Sequence, residues 1–144
     1  MNHLFEIREE TDLDELLPVR WRNLYPDNSI DPEASREADL AEGTIHFVAA
    51  SDGGIVGCVT LTEEFAQDRS LRMRWIGVDE PLRGQGIGAA LARACLREGA
   101  RRELGIWCNA RMAAFSLYHR LGLEQVGSPF DIPGIGPHIV MRTP

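Results

Sequence analysis

Residues 83–88 read Arg83, Gly84, Gln85, Gly86, Ile87, Gly88, between a strand-like segment and a helix-like one. Alternating glycines open backbone conformations closed to other residues and let a bulky group approach the main chain. Free N–H groups at the start of the following helix point at whatever sits there, and the helix dipole adds to their pull on an anion. Arg83 can add charge-assisted contacts, so a diphosphate is the natural occupant of this turn. The spacing departs from the dinucleotide fingerprint, which leaves two residues before its last glycine, and the next strand ends at Cys108 and Asn109 where an acidic ribose partner would be needed. Both features weaken a nicotinamide oxidoreductase. A turn without a ligand would not need three alternating glycines preceded by an arginine.

Charge follows the same segment. The net charge is −7, with −12 in residues 1–68, +5 in residues 69–102 and zero in residues 103–144. A positive field centred on the glycine run suits a small anionic ligand better than a nucleic acid, and no nucleic-acid partner is expected. All fifteen basic residues are arginine, which excludes chemistry that needs lysine, such as a Walker phosphate loop or a Schiff base. Cys58, Cys95 and Cys108 are odd in number and widely spaced inside apolar segments. They read as reduced core residues, no metal site is expected, and no histidine stands where it would activate a cysteine nucleophile.

The elements that must position this turn follow from periodicity. At 144 residues, with 44% hydrophobic and 26% charged side chains, residues 1–144 are expected to form a single domain with a real core. The acidic N-terminus lacks the order of a secretory signal, and no apolar stretch approaches the ~18 residues of a membrane span, so a cytoplasmic protein without a membrane partner is expected. A short strand fits residues 4–8, and a helix capped by Thr11 runs to about Asn23, broken by Tyr25, Pro26, Asp27 and Asn28. Asp31 and Pro32 open a second short helix ending at Gly43. Residues 44–51 and 55–61 form a hairpin around Asp52, Gly53 and Gly54. In the strand over residues 71–78, Leu71, Met73, Trp75 and Gly77 face one way and Arg72, Arg74, Ile76 and Val78 the other. A helix follows from Gly86 to a stop at Gly99, then a strand over residues 104–108, a helix over residues 110–121 stopped by Gly122, and strands over residues 123–126 and 138–142. The loop between those last strands holds Pro129, Pro133, Gly134, Gly136 and Pro137.

Here two blocks carry a family resemblance. Residues 78–91, V-D-E-P-L-R-G-Q-G-I-G-A-A-L, resemble the acetyl-CoA motif of the GNAT superfamily of N-acetyltransferases, anchored at Arg83, Gly86 and Gly88. Asn109, Ala110, Arg111, Ala113 or Ala114, Tyr118 and Leu121-Gly122-Leu123 resemble the family's second block, with Leu123 in place of the commoner phenylalanine. The resemblance implies an α/β (α+β) fold: a central mixed, mostly antiparallel sheet of about six or seven strands flanked by about four helices, with strands splayed at the cofactor site. It implies acetyl-CoA as cosubstrate, with the backbone of Ile76 and Val78 holding the pantetheine arm as an added strand. Main-chain N–H groups of Arg83, Gly84, Gln85, Gly86, Ile87, Gly88 and Ala89 would hold the pyrophosphate, with Asn109 contributing from the second block.

Acetyl transfer needs a neutral amine, stabilisation of an oxyanion and a proton for the departing thiolate. The resemblance places Tyr118 as the general acid, and its phenol, with an unperturbed pKa of about 10, can donate to a thiolate whose conjugate acid lies near ~8.5. The fourth strand offers Arg72 and Arg74 where many relatives carry a Glu base, which leaves Glu63, Glu64 or His138 as candidate bases. Backbone N–H groups near Ile76 or Gly77 would meet the oxyanion. Arg22, Trp21, Tyr25, Arg72 and Arg74 would line an acceptor pocket that admits a small carboxylated amine, while the acidic first half of the chain suits a cationic acceptor or a protein N-terminus. The expected partner is thus a small-molecule or peptide amine. A homodimer is implied by the family alone, and a non-catalytic acyl-CoA sensor is the rival reading that would not need Tyr118.

Overall fold

The computed structural model describes residues 4–27 and 30–144. Among the described residues there are seven strands, β1 (Glu6–Glu9), β2 (Ile45–Ser51), β3 (Gly54–Ala66), β4 (Arg69–Val78), β5 (Ile106–Arg111), β6 (Glu124–Ile132) and β7 (Gly136–Arg142). The α-helices are α1 (Leu13–Leu24), α2 (Arg36–Leu40), α3 (Ile87–Arg102) and α4 (Phe115–Arg120). The strands form one mixed sheet in the order β1-β2-β3-β4-β5-β7-β6. The β1–β2, β2–β3, β5–β7 and β6–β7 pairs are antiparallel and β4–β5 is parallel, the mixed sheet with four helices that the resemblance implies. Among the described residues no helix is long and apolar enough to cross a membrane.

The chain divides into two compact units. The first comprises Met1–Thr62 and Met73–Cys95. Its α1 is capped by Asp12, whose Oδ1 accepts from the Asp14 N–H at 2.9 Å. Thr11, the expected cap, lies outside because Glu10 Oε2 accepts the N–H groups of Thr11 (3.0 Å) and Asp12 (3.1 Å) and holds the chain extended there. Leu16 and Val19 turn inward onto Val48 and Cys58, with Leu13 and Ile55 packed around them. Each such side chain contributes about 1.5–3 kcal/mol by leaving water. The break after α1 falls at Tyr25, Pro26 and Asp27, and Asn28 lies outside the described residues. Asp31 caps a 3-10 turn over Pro32–Ser35, which α2 continues only to Leu40, short of Gly43. Asp52 (φ 49°) and Gly53 (φ 80°) make the β2–β3 turn with two left-handed residues, as a tight hairpin requires.

The second unit comprises Glu63–Arg72 and Leu96–Pro144. Here β3 runs on to Ala66 and β4 starts at Arg69, a longer hairpin than the apolar pattern suggests. Its tip is held by polar contacts that leave no hydrophobic trace, including Arg72 Nη1 to Glu64 Oε2 at 3.1 Å. The parallel β4–β5 ladder consists of Leu71↔Ile106 and Arg72↔Trp107, although β4 runs on to Val78 and β5 to Arg111. Gly99 does not stop α3, which continues to Arg102. A Cβ at Gly99 would lie 2.9 Å from Ile106 Cδ1 and 3.0 Å from the Leu104 carbonyl oxygen, so this glycine serves close packing. Gly122 (φ 98°) ends α4 as expected. Strand β6 extends through Pro129 because a register shift between Val126 and Phe130 takes the proline out of the ladder, where its missing N–H costs nothing.

Candidate functional site

The glycine run lies in the first unit, between β4 and α3, after a 3-10 turn over Glu80–Leu82. Gly84 (φ 80°) and Gly86 (φ 88°) are both left-handed, and nothing lies within 4 Å of a Cβ built on either. The requirement at these positions is therefore backbone conformation. The first intrahelical bond of α3 runs from the Ala90 N–H to the Gly86 carbonyl at 3.0 Å, so the N–H groups of Ile87, Gly88 and Ala89 precede any helical acceptor. The first turn of α3 carries no acidic side chain to compete at its positive end. Gln85 Oε1 is buried and has no hydrogen-bond partner, an acceptor awaiting a donor.

Side chains from α1 fasten this turn. Asp79, the last residue before it, accepts from Arg22 Nε at 2.9 Å, Arg22 Nη2 at 2.6 Å and Asn23 Nδ2 at 2.8 Å. Arg83 donates from Nε to the Val78 carbonyl at 2.8 Å and from Nη2 to Asn23 Oδ1 at 3.3 Å. Burial pushes the Asp79 carboxyl up, but the bonds from Arg22 and Asn23 outweigh it and hold the group below the usual carboxylate range. The same bond to Asp79 raises the Arg22 guanidinium. Gly77 makes the approach possible, since a Cβ there would lie 3.0 Å from Asn23 Cβ.

Strand β4 carries the expected pantetheine residues Ile76 and Val78, and the alternation read from its sequence is interrupted just before them. Trp75 has φ 56°, a left-handed backbone that a bulky residue adopts only under constraint. Arg74 places its Cζ 3.7 Å from the Trp75 ring centroid and Arg20 places its own 4.4 Å away. Trp21 meets Trp75 edge-on at 6.3 Å and Tyr25 at 5.7 Å. A cavity of about 520 Å³ lies along α1, lined by Leu17, Trp21, Arg22, Pro26 and Pro32 among others. Of the expected acceptor residues, Tyr25 and Arg74 adjoin the aromatic group through Trp21 and Trp75, whereas Arg22 is committed to Asp79.

The second unit holds the remaining candidates. Tyr118 is buried on α4, 4% exposed, and Asn109 pairs with Val140 across β5 and β7. The His138 Nδ1–H donates to the Gly136 carbonyl at 2.8 Å, which leaves Nε2 as the basic nitrogen of the neutral ring. Glu63 stands 3.9 Å from Arg102 and Glu64 3.1 Å from Arg72, so both acids are engaged by an arginine. Arg72 also lies over the Trp107 ring at 4.8 Å. Burial pushes the Cys58 and Cys108 thiols up to about 12, far from the thiolate a nucleophile needs. Among the described residues no cluster of His, Cys, Asp or Glu is arranged to hold a metal ion.

Sequence reasoning missed Asp79, Asn23 and Arg20. Arg20 carried a signal: it falls four residues after Leu16, on the inward stripe of α1, where a charge is expected only with a buried partner. Asp79 and Asn23 gave none, because their meeting depends on tertiary packing at Gly77.

Residues 42–125 match the family described as the acetyltransferase (GNAT) domain. The chain is 33% identical over 128 residues to the uncharacterized N-acetyltransferase YitI of Bacillus subtilis, covering 85% of each protein. Its fold is similar to that of an acyl-CoA N-acyltransferase from Pseudomonas aeruginosa, with TM-score 0.81, 20% identity and 99% and 100% of the two chains covered. An aminoglycoside 6'-N-acetyltransferase solved with coenzyme A matches at TM-score 0.76, 18% identity and 96% of each chain.

Proposed function

This chain belongs to the GNAT superfamily of acetyltransferases and is an acyl-CoA-dependent N-acetyltransferase; on that premise we propose that residues 1–144 form a single catalytic domain moving an acetyl group from acetyl-CoA directly to a primary amine. The observation that carries the cofactor assignment is the turn at residues 83–89. Two left-handed glycines, unsatisfied N–H groups at the start of α3 and an acid-free first turn all fit a diphosphate-bearing ligand.

In this reading the N–H groups of residues 84–89 bind the diphosphate, the expected Arg83 N–H being committed to the Glu80 carbonyl at 3.2 Å, and the Arg83 side chain screens the ligand's charge from a position fixed by Val78 and Asn23. The backbone of Ile76 and Val78 pairs with the pantetheine amides. Bound acetyl-CoA supplies an acyl group already activated as a thioester. Backbone N–H groups near Ile76 and Gly77 meet the negative charge that develops on the acyl oxygen. Tyr118 donates its phenolic proton to the departing sulfur. His138 is favoured as the base, supported by the free Nε2 that its bond to Gly136 leaves and by the ion pairs that occupy Glu63 and Glu64. Direct transfer is supported by the two thiols pushed up to about 12. The acceptor is read as a small amine or peptide N-terminus approaching Tyr25 and Arg74. A cytoplasmic location suits the three free cysteines.

The test is thiol release. Purified protein with acetyl-CoA and a panel of amino acids, polyamines and peptides should liberate free coenzyme A with at least one acceptor. Coenzyme A that raises the melting temperature while no amine provokes release would replace this reading with that of a sensor.

A further inference from the structure

Arg20 is fully buried, and nothing in the acyl-transfer chemistry calls for it. Its Nη1 donates to Asp39 Oδ2 (2.9 Å) and Ser35 Oγ (3.0 Å), and its Nη2 to Asp39 Oδ1 (3.0 Å) and Thr60 Oγ1 (2.6 Å). Thr60 Oγ1 also meets His46 Nδ1 at 2.8 Å, and His46 Nε2 meets the Asp39 carbonyl at 3.2 Å. With Nε2–H donating to that carbonyl and the Thr60 hydroxyl donating to Nδ1, the bonds close a ring through Arg20, Thr60, His46 and Asp39. Such a buried pair is poor value as a source of stability, because desolvation consumes most of its Coulomb energy and apolar residues of the same volume serve as well or better. Arg20 Nε is moreover buried without a partner, a cost of about 1–3 kcal/mol. The arrangement gives up hydrogen bonding at Nε while setting the guanidinium 4.4 Å from the Trp75 ring and 5.3 Å from that of Trp21.

Trp75 is the residue whose backbone needs such a constraint. A bulky side chain at φ 56° costs about 1–3 kcal/mol and persists only where its surroundings over-determine it. The other supports are slighter: Arg74 is a neighbour on the same strand, Trp21 touches one edge, and the Trp75 carbonyl accepts a long 3.8 Å bond from Cys58 Sγ. We propose that Arg20 is a positioning residue for acyl transfer, held by Asp39, Ser35 and Thr60 so that its guanidinium fixes the left-handed turn at Trp75 and thereby the direction of the Ile76 and Val78 backbone. This inference rests on the acetyl-transfer reading for its kinetic consequence, while its structural consequence stands apart from it.

The experiment pairs Arg20→Lys with Trp75→Gly. Lysine keeps a charge for Asp39 but loses the planar fork that lies over the indole. Glycine adopts φ 56° without strain, so in that background the clamp has nothing left to hold. Arg20→Lys in the otherwise unaltered protein should lower kcat about 10- to 100-fold, as expected of a small displacement at the reacting centre, while the Kd for coenzyme A moves less, by under about 10-fold, because the pairing of the pantetheine arm with Ile76 and Val78 is disturbed but the grip at residues 84–89 is untouched. In the Trp75→Gly background the same change should alter kcat less than about 2-fold, the coupling expected of residues acting through one another. Equal losses in both backgrounds, or no loss in either, would overturn the proposal. Thr60→Val, which removes one acceptor from Arg20 without stranding a charge, should give a smaller loss that also vanishes with Trp75→Gly; it decides the matter if Arg20→Lys does not fold. Near-ultraviolet circular dichroism of the Trp21–Trp75 pair reports without any activity: the signal should weaken in Arg20→Lys and Thr60→Val, and an unchanged signal in a folded variant sinks the proposal even if the protein acetylates nothing.

Discussion

Arg22 grips Asp79 with two nitrogens, Nε at 2.9 Å and Nη2 at 2.6 Å, and so ties α1 to the residue just before the glycine-rich turn. The pair is half in solvent at its arginine end, which limits its Coulomb term. The three charge-assisted bonds at Asp79 should nevertheless make Asp79→Asn cost about 1–3 kcal/mol in urea denaturation at neutral pH. The carboxyl is depressed in the folded state, so its contribution is fully present above the ordinary value of 3.8 and is lost as pH falls through the folded value. The stability difference between wild type and Asp79→Asn should therefore shrink in acid. A difference that stays constant from neutral pH to below 3.8 would contradict the ionic account of this fastening.

Gly77 sets how near α1 can come. A methyl group there would press on Asn23 Cβ from 3.0 Å, and helix backbone yields less readily than a flexible side chain. Gly77→Ala should lower stability by about 1–3 kcal/mol through overpacking and weaken coenzyme A binding several-fold by moving Asn23 away from Asp79 and Arg83. Thermal denaturation and calorimetry on one preparation would check both effects.

The conformation of the glycine turn was legible because its requirements are local: glycines at Gly84 and Gly86 for left-handed backbone, and a helix start at Ile87. The number of strands and the stop at Gly122 were legible for similar reasons. Trp75 was not, since a strand alternation gives no sign of one left-handed residue within it. Gly99 misled, because a glycine near a helix end looks the same whether it stops the helix or lets Ile106 approach. The polar tip of the β3–β4 hairpin escaped a reading by apolar pattern, as did the commitment of Arg22 to Asp79, which depends on residues far apart in the chain.

Tyr118→Phe removes one oxygen from a buried site. Loss of a general acid should lower kcat about 10²- to 10⁴-fold, and coenzyme A affinity should be retained because the residue lies outside the glycine turn. Steady-state kinetics with a calorimetric Kd separates the two parameters. Full turnover in Tyr118→Phe would remove the residue from catalysis.

Direct transfer predicts that cysteine chemistry is irrelevant. With Cys58 and Cys108 pushed up to about 12 by burial, their thiolate fraction at pH 8 is negligible. Iodoacetamide at that pH should leave both unmodified and activity intact, as followed by intact-protein mass spectrometry. Activity lost in step with alkylation of either cysteine would instead favour a covalent route.

Calorimetric titration of coenzyme A into wild type and Gly86→Val tests the central assignment most directly. Gly86 has φ 88° and open space around its missing Cβ, so valine strains the backbone there without a clash. Wild type should show saturable 1:1 binding and a folded Gly86→Val at least ~10-fold weaker binding, a difference of about 1.4 kcal/mol or more. Equal affinity in the two proteins, or no binding to wild type, would contradict that assignment.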